Sequence, residues 1–342
     1  MLVCPECKAA VTEPELRCAA CGWCGELRDG VLVLLTDADR KDPVFARYLD
    51  NYAKISEDDL STPVLDLRYV RHQAANLASF AGDMCGASVL DLGCGQGFLT
   101  KTLLNRGASA IWAVDISLPY LSRLTDDSRI RPVCANAENL PFRNTFDVAV
   151  STDVMEHVLN VGAYLFSLNQ ALRPGGRVFI RVPLEENLLA YAPQLGCRYR
   201  FVHLRTFDKT LLRQALVGAG FRVDGFRIDG FNLGTPRPFW QAGPRRRELY
   251  TLFQQLVERR VRDPVSVTRW PAWLARIMMK PHELVVAATK VKSIRPVQPH
   301  GFVLEDPSPS GEGDIANTAR AEPKVTPISR SAQPSVPADV TT

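Results

Sequence analysis

Ser88-Val89-Leu90-Asp91-Leu92-Gly93-Cys94-Gly95-Gln96-Gly97 is the stretch from which the fold follows. An apolar run of strand length passes an acid and then turns through three glycines at alternate positions. Glycine allows backbone angles and close approaches that a Cβ would block. Residues 98–106 then read as a helix. Such a turn offers bare backbone N–H groups at a helix start, against which a ligand can lie. A lone glycine-rich turn does not separate one nucleotide-binding fold from another, so the flanking segments decide.

Working outward, the strand-like runs are 87–92, 109–114, 130–134, 146–151, 175–182, 221–228 and 283–289. The first five alternate with helical or loop segments, as βαβ units of a parallel sheet do. The last two are expected as a late antiparallel pair. Ile111-Trp112-Ala113-Val114-Asp115-Ile116-Ser117 is a strand ending in a carboxylate, and Asp115 lies 22 residues after Gly93, where an acid can hold both ribose hydroxyls. Three more segments follow in order: Cys134-Ala135-Asn136-Ala137-Glu138-Asn139-Leu140-Pro141-Phe142, then Phe146 through Val158, then Leu172-Arg173-Pro174-Gly175-Gly176-Arg177-Val178-Phe179-Ile180.

Together these segments resemble class I S-adenosylmethionine (SAM) methyltransferases over about residues 85–230. The resemblance implies a Rossmann-like sheet and SAM as cofactor. It places Asp91 and the backbone of Gly93, Cys94, Gly95 and Gly97 beside the amino-acid arm. Asp115 takes the ribose, and Ile116 packs against adenine. Asn136, Ala137 and Glu138 border the adenine edge, and Ser151 ends the fourth strand at the same site. Many relatives carry Asp where this chain has Asn136; an amide both donates and accepts, which suits an adenine edge.

Methylation of an alcohol or phenol needs a base, most often His. His157 follows the fourth strand closely. The string Met155-Glu156-His157-Val158 is common in small-molecule members of the superfamily. In some quinone-biosynthesis O-methyltransferases the corresponding Glu-His helps bind a divalent ion. The competing reading makes Glu156 and His157 the start of a helix that stabilises a loop. His203, in Phe201-Val202-His203-Leu204-Arg205-Thr206-Phe207, resembles a His of many relatives that faces the acceptor or is structural. Asp153 is a further pocket candidate. His72 lies where an N-terminal helix would cover the cofactor.

Five of the nine cysteines fall in the first 24 residues. Cys4-Pro5-Glu6-Cys7 and Cys18-Ala19-Ala20-Cys21 are two C-x2-C knuckles. Two knuckles complete a tetrahedral four-thiolate site, the closed geometry of structural zinc. Cys24 stands close enough to replace Cys21. So short a segment has little core, so the ion would supply its folding energy. With Arg28-Asp29-Gly30-Val31-Leu32-Val33-Leu34-Leu35, the segment resembles the Trm112-like zinc ribbon. Removing the ion is expected to unfold this ribbon and leave SAM affinity largely intact.

The expected organisation is a ribbon at 1–36, a helical segment at 37–84, a methyltransferase domain at 85–291 with an insertion at 231–281, and a disordered tail at 292–342. The tail holds eight prolines and no apolar periodicity. The 342 residues carry 46% hydrophobic residues and a net charge of +4. That excludes fibrous and wholly disordered classes and does not mark a nucleic-acid binder. No run of about 18 uncharged apolar residues exists, and the N-terminus lacks a signal core, so the chain reads as cytoplasmic. The leading function is SAM-dependent methyl transfer to a small-molecule or lipid- or sugar-linked acceptor, at oxygen. An RNA methyltransferase contacting RNA through the ribbon is a second reading, and an inactive partner-docking module a third. Residues 239–280 mix Phe239, Trp240, Trp270 and Trp273 with arginines. They read as a packed insertion, an acceptor lid or a basic surface for membrane or RNA.

Overall fold

The computed structural model describes residues 1–61, 67–186, 188–191, 197, 199, 202–233, 245, 249, 252, 279–297 and 301–304. Local chemistry explains its first elements. Strands β1 (Glu26–Arg28) and β2 (Val31–Val33) form a hairpin across Asp29-Gly30, whose φ values are 50° and 79°. A turn with both central residues at positive φ matches the twist of paired strands. Helix α1 (Asp37–Lys41) opens on a capping box. The Thr36 hydroxyl accepts from Asp39 N, and the Asp39 carboxylate accepts from Thr36 N. Helices α2 (Pro43–Ser61) and α3 (Leu67–Ala81) follow.

The alternation expected from sequence then appears. It runs β3 (Ser88–Leu92), α4 (Phe98–Leu104), β4 (Ala110–Asp115), α5 (Leu118–Leu121), β5 (Ile130–Cys134), β6 (Phe146–Thr152), α6 (Val161–Ala171), β7 (Leu172–Pro183), α7 (Lys209–Gly218), β8 (Phe221–Leu233) and β9 (Met279–Lys290). The sheet order is β1-β2-β5-β4-β3-β6-β7-β9-β8. Strands β3 to β7 pair in parallel, and β9 runs antiparallel to both β7 and β8. Val89, Leu90 and Leu92 of β3 are all buried, as expected when helices cover both faces of a parallel sheet. The Rossmann-like sheet with its late antiparallel pair is therefore present. Its carboxyl ends bring the glycine turn, Asp115, Asn136 and Asp153 to one rim.

The ribbon joins this sheet. Strand β2 pairs in parallel with β5, Leu32 opposite Val133 and Val33 opposite Cys134. Leu2, Cys4, Val11, Leu16, Cys18, Trp23 and Leu34 share one buried core with Leu92, Trp112, Val133 and Phe142. Arg131 lies 4.2 Å over the Trp112 ring. Within the stretch read as tail, β10 (Ile294–Val297) and β11 (Gly301–Leu304) pair antiparallel. That moves the start of any tail beyond residue 304. The physical reason is anchorage. Ile294 is buried in the main core, and Gln170 Nε2 donates to its carbonyl at 2.8 Å. Most of the insertion and everything after 304 lie outside the described residues.

Candidate cofactor and acceptor site

The glycine turn is shaped by two different needs. A Cβ at Gly93 would stand 2.1 Å from Val154 Cγ2, so packing forbids one there. Gly95 has φ 48° and open space where its Cβ would point. A cavity of about 320 Å³ lies over this turn, lined by Gly93, Cys94 and Gly95 with Tyr120, Asp153 and Arg181. Asp115 binds the turn from below. Its carboxylate accepts from Gly95 N and from Ser117 N, each at 2.9 Å, and burial pushes its pKa up. Asp91 is fully buried. One oxygen accepts from the Thr100 hydroxyl at 2.6 Å, and the other has no partner. Burial pushes Asp91 up to about 7. Open glycine backbone, a ribose-spaced carboxylate and an orphaned carboxylate oxygen fit a cationic, adenosine-bearing cofactor.

Asn136, Glu138 and Ser151, also predicted for the cofactor, do not line this cavity. Asn136 Nδ2 donates to Asp39 Oδ1 at 2.8 Å, and its own Oδ1 accepts from Glu138 N. Glu138 accepts from Leu159 N at 2.7 Å. The Ser151 hydroxyl is buried against the Tyr164 hydroxyl. Helix α2 covers this rim and is tied to it by side chains. The Ser117 and Ser56 hydroxyls meet at 2.6 Å, and Asp59 accepts from Gln96 Nε2 at 2.8 Å and Tyr120 OH at 2.9 Å. From α3 it is Val70, Gln73, Ala74 and Leu77 that reach the cavity, whereas His72 bonds Asn76 at 2.9 Å.

His157 and His203 come together. Their rings cross edge-on at 4.7 Å, and one ligand atom each from Glu156, His157 and His203 lies within 4.8 Å of the others. Glu156 is fully buried and neither carboxylate oxygen has a partner; its nearer oxygen is 3.8 Å from His157 Nε2. Burial pushes Glu156 far above the carboxylate range. Burial, then the neighbouring His203, pushes His157 down to about 4. His157 Nδ1 meets the Val202 carbonyl at 2.6 Å. A carbonyl only accepts, so Nδ1 carries the proton and Nε2 keeps a lone pair. His203 Nδ1 meets the Glu186 carboxylate in the same way, and Tyr191 stacks on the His203 ring at 4.3 Å. Asp153 stays out of this group, paired with the Arg181 guanidinium.

At the ribbon, Cys4, Cys7, Cys18 and Cys21 converge, with Cys4 Sγ 3.6 Å from Cys21 Sγ and Cys7 Sγ 3.4 Å from Cys18 Sγ. Each knuckle closes in the same way, Lys8 N donating to Cys4 O and Gly22 N to Cys18 O, both at 2.9 Å. Backbone N–H groups of Cys21 and Ala20 draw the Cys18 thiol down to about 7. Four sulfurs at these separations fit a tetrahedral zinc ion. Cys24 is exposed and bonds Gly22 O instead, so Cys21 is the fourth member of the group.

Several residues of the site went unread in the sequence. Arg181 and Glu283 approach each other at 3.6 Å in the cavity wall. Their signal was a charge near the end or at the start of an apolar run. Arg205 spans the 155–159 loop, donating to Val158 O and Leu159 O. Tyr52 packs edge-on to His157 at 5.8 Å. Nothing in α2's sequence distinguishes that tyrosine from an ordinary core aromatic.

Comparisons with known proteins identify the family. A family model described as "Methyltransferase domain" matches residues 44–224, just over half of the chain. The mitochondrial ubiquinone biosynthesis O-methyltransferase of Homo sapiens is 36% identical over 118 residues, 32% of this chain and 32% of that protein. The tRNA U34 carboxymethyltransferase of Idiomarina loihiensis is 27% identical over 132 residues, 36% of this chain and 41% of that protein. The chain therefore spans less than half the length of either relative. Among solved structures, Burkholderia thailandensis 1,6-didemethyltoxoflavin-N1-methyltransferase matches with a TM-score of 0.46 and 22% identity, covering 76% of this chain and 95% of that one.

Proposed function

The chain belongs to the methyltransferase-domain family whose model spans 44–224, and from that premise we propose that this SAM-dependent methyltransferase acts on a hydroxyl of a small-molecule or lipid- or sugar-linked acceptor. The observation that carries the reading is the convergence of Glu156, His157 and His203, on the loop that follows Asp153 of the cavity wall and on the segment packed against that loop. The two imidazole side chains are only 16% and 15% exposed. Such an enclosure favours a small or slender acceptor group over a broad surface.

Bound SAM supplies a methyl group on a positively charged sulfur, ready for in-line displacement. The chain supplies position and a proton acceptor. Asp115 and the Gly93–Gly95 backbone orient the donor. His157 is held in one tautomer by Val202 O, and its free Nε2 would take the acceptor's hydroxyl proton as the methyl passes to that oxygen, the S–CH3 bond breaking to leave a neutral thioether. Glu186 fixes His203 in the matching orientation. Arg205 holds the loop that carries Glu156 and His157. A divalent ion, implied by the resemblance to quinone-biosynthesis O-methyltransferases, also suits this donor set. Glu156, His157 and His203 would hold it, and its chemistry there would be to acidify an acceptor hydroxyl.

The RNA-contact reading draws less support. The ribbon's first knuckle faces the loop between β5 and β6, where Val3 N bonds Pro141 O and Asn139 Nδ2 bonds Pro5 O. The test is transfer of labelled methyl from SAM into fractionated metabolite, lipid and RNA extracts, run beside His157→Ala. We expect label in an alkali-stable ether of a small or lipid-linked product. His157→Ala should lower kcat by about 10²–10⁴ while leaving affinity for S-adenosylhomocysteine (SAH) unchanged. Label confined to RNA, or full activity in the variant, would overturn the reading.

A further inference from the structure

The cysteine end of the ribbon grips the loop at the adenine side of the cofactor site. Asn139 ends the short 3-10 turn Ala137–Asn139, and its side-chain amide is engaged at both ends by the first knuckle. Its Nδ2 donates to Pro5 O at 3.1 Å, and its Oδ1 accepts from the Lys8 ammonium. Pro5 lies between Cys4 and Cys7. Lys8 directly follows Cys7 and is held at φ 60°. The backbone reinforces the grip, with Val3 N donating to Pro141 O at 2.9 Å and Leu2 bridging Phe142. The other end of the turn is held from just beyond the ribbon. Asn136 Nδ2 bonds Asp39, the residue that closes the Thr36 capping box.

Between Cys4 and Lys8 there is no helix or strand to fix Pro5 O and Lys8 in place. An ion drawing four thiolates together would set that shape. We infer that Lys8 and Asn139 are positioning residues that make SAM affinity depend on metal at Cys4, Cys7, Cys18 and Cys21. The ion shapes the knuckle, the knuckle holds Asn139, and Asn139 sets the turn bearing Ala137 and Glu138. The inference rests on the reading that residues 136–138 border adenine. It replaces the expectation, drawn from a free-standing ribbon, that metal and cofactor act independently. Coupling between two ligands is reciprocal, so SAH must tighten metal binding by the factor by which metal tightens SAH.

The experiment uses the full chain loaded with zinc. SAH is titrated calorimetrically into the loaded protein, the chelator-stripped protein, and zinc-loaded Asn139→Ala and Lys8→Met. Zinc affinity is measured by competition with a chromogenic chelator, with and without saturating SAH. Zinc content and circular dichroism establish that each variant is folded. We expect stripping to weaken SAH binding by about five- to thirtyfold, SAH to tighten zinc by the same factor, and Asn139→Ala to weaken SAH while still holding zinc. If stripping unfolds the whole chain, the zinc affinities and the loaded variants decide. Wild-type SAH affinity in both variants, with zinc affinity blind to SAH, would overturn the inference. Asp115→Ala separates the two failures. If it loses SAH while Asn139→Ala does not, only the coupling fails; if it binds SAH like wild type, the cofactor-site reading itself fails.

Discussion

Asp115 is the residue on which the cofactor site turns. It braces the glycine turn through Gly95 N and Ser117 N, and the ribose contact proposed for it would add hydrogen bonds to the same charge. Asp115→Ala should therefore weaken SAM and SAH binding by more than about tenfold, since hydrogen bonds to a charge are worth about 1.5–3 kcal/mol each. Isothermal titration reads this directly, and unchanged affinity would remove Asp115 from the site. At this scale the sequence was most legible where spacing is local. The three glycines, the acid after the next strand and the cysteine knuckles all follow from neighbours in the chain. Partnerships across long separations were not legible. Lys8 with Asn139, Arg181 with Asp153, and Glu186 with His203 are chosen by topology, and no local pattern announces them.

The parallel strands were readable because each is a short apolar run between helices, and β3 to β9 lie close to the segments expected. Strands β1 and β2 have three residues each, too few for a periodicity. Their addition to the sheet through β5 depends on a contact about a hundred residues away in the chain. One cross-element tie makes a testable case. Lys290, at the end of β9, is buried and donates to Asn169 O at 2.6 Å and Leu172 O at 2.9 Å, at the end of α6. Lys290→Met strands those carbonyls and should cost about 1–3 kcal/mol of stability. Burial pushes the Lys290 amine from 10.5 down to about 8. Between those values the unfolded chain binds more protons than the folded one, so wild-type stability gains from this group as pH rises from about 8 to 10.5. Denaturant titration across that window should show the gap between wild type and variant widening with pH. A gap that narrows would contradict the assignment.

For the whole molecule, the ribbon and the sheet form one core rather than two modules. Trp23 and Leu34 of the ribbon share that core with Trp112 and Phe142 of the sheet. Composition and motif order anticipated the Rossmann-like fold and the zinc ribbon, yet could not show this union, because burial between distant segments leaves no mark in either alone. The same limit applies to the acceptor. His157 and Glu156 were visible as a dipeptide, but their enclosure with His203, Glu186 and Tyr52 emerges only from the folded chain. Among the described residues no helix is long and apolar enough to cross a membrane. The lid and surface readings of residues 239–280 fall almost wholly outside the described residues.

The most direct test of the central claim is calorimetric titration of the purified, zinc-loaded chain with SAM and SAH, with NAD as control. The account predicts one saturable site for the SAM pair, no binding of NAD, and loss of that site in Asp115→Ala. Binding of NAD, or no binding of SAM by folded, zinc-loaded protein, would contradict it.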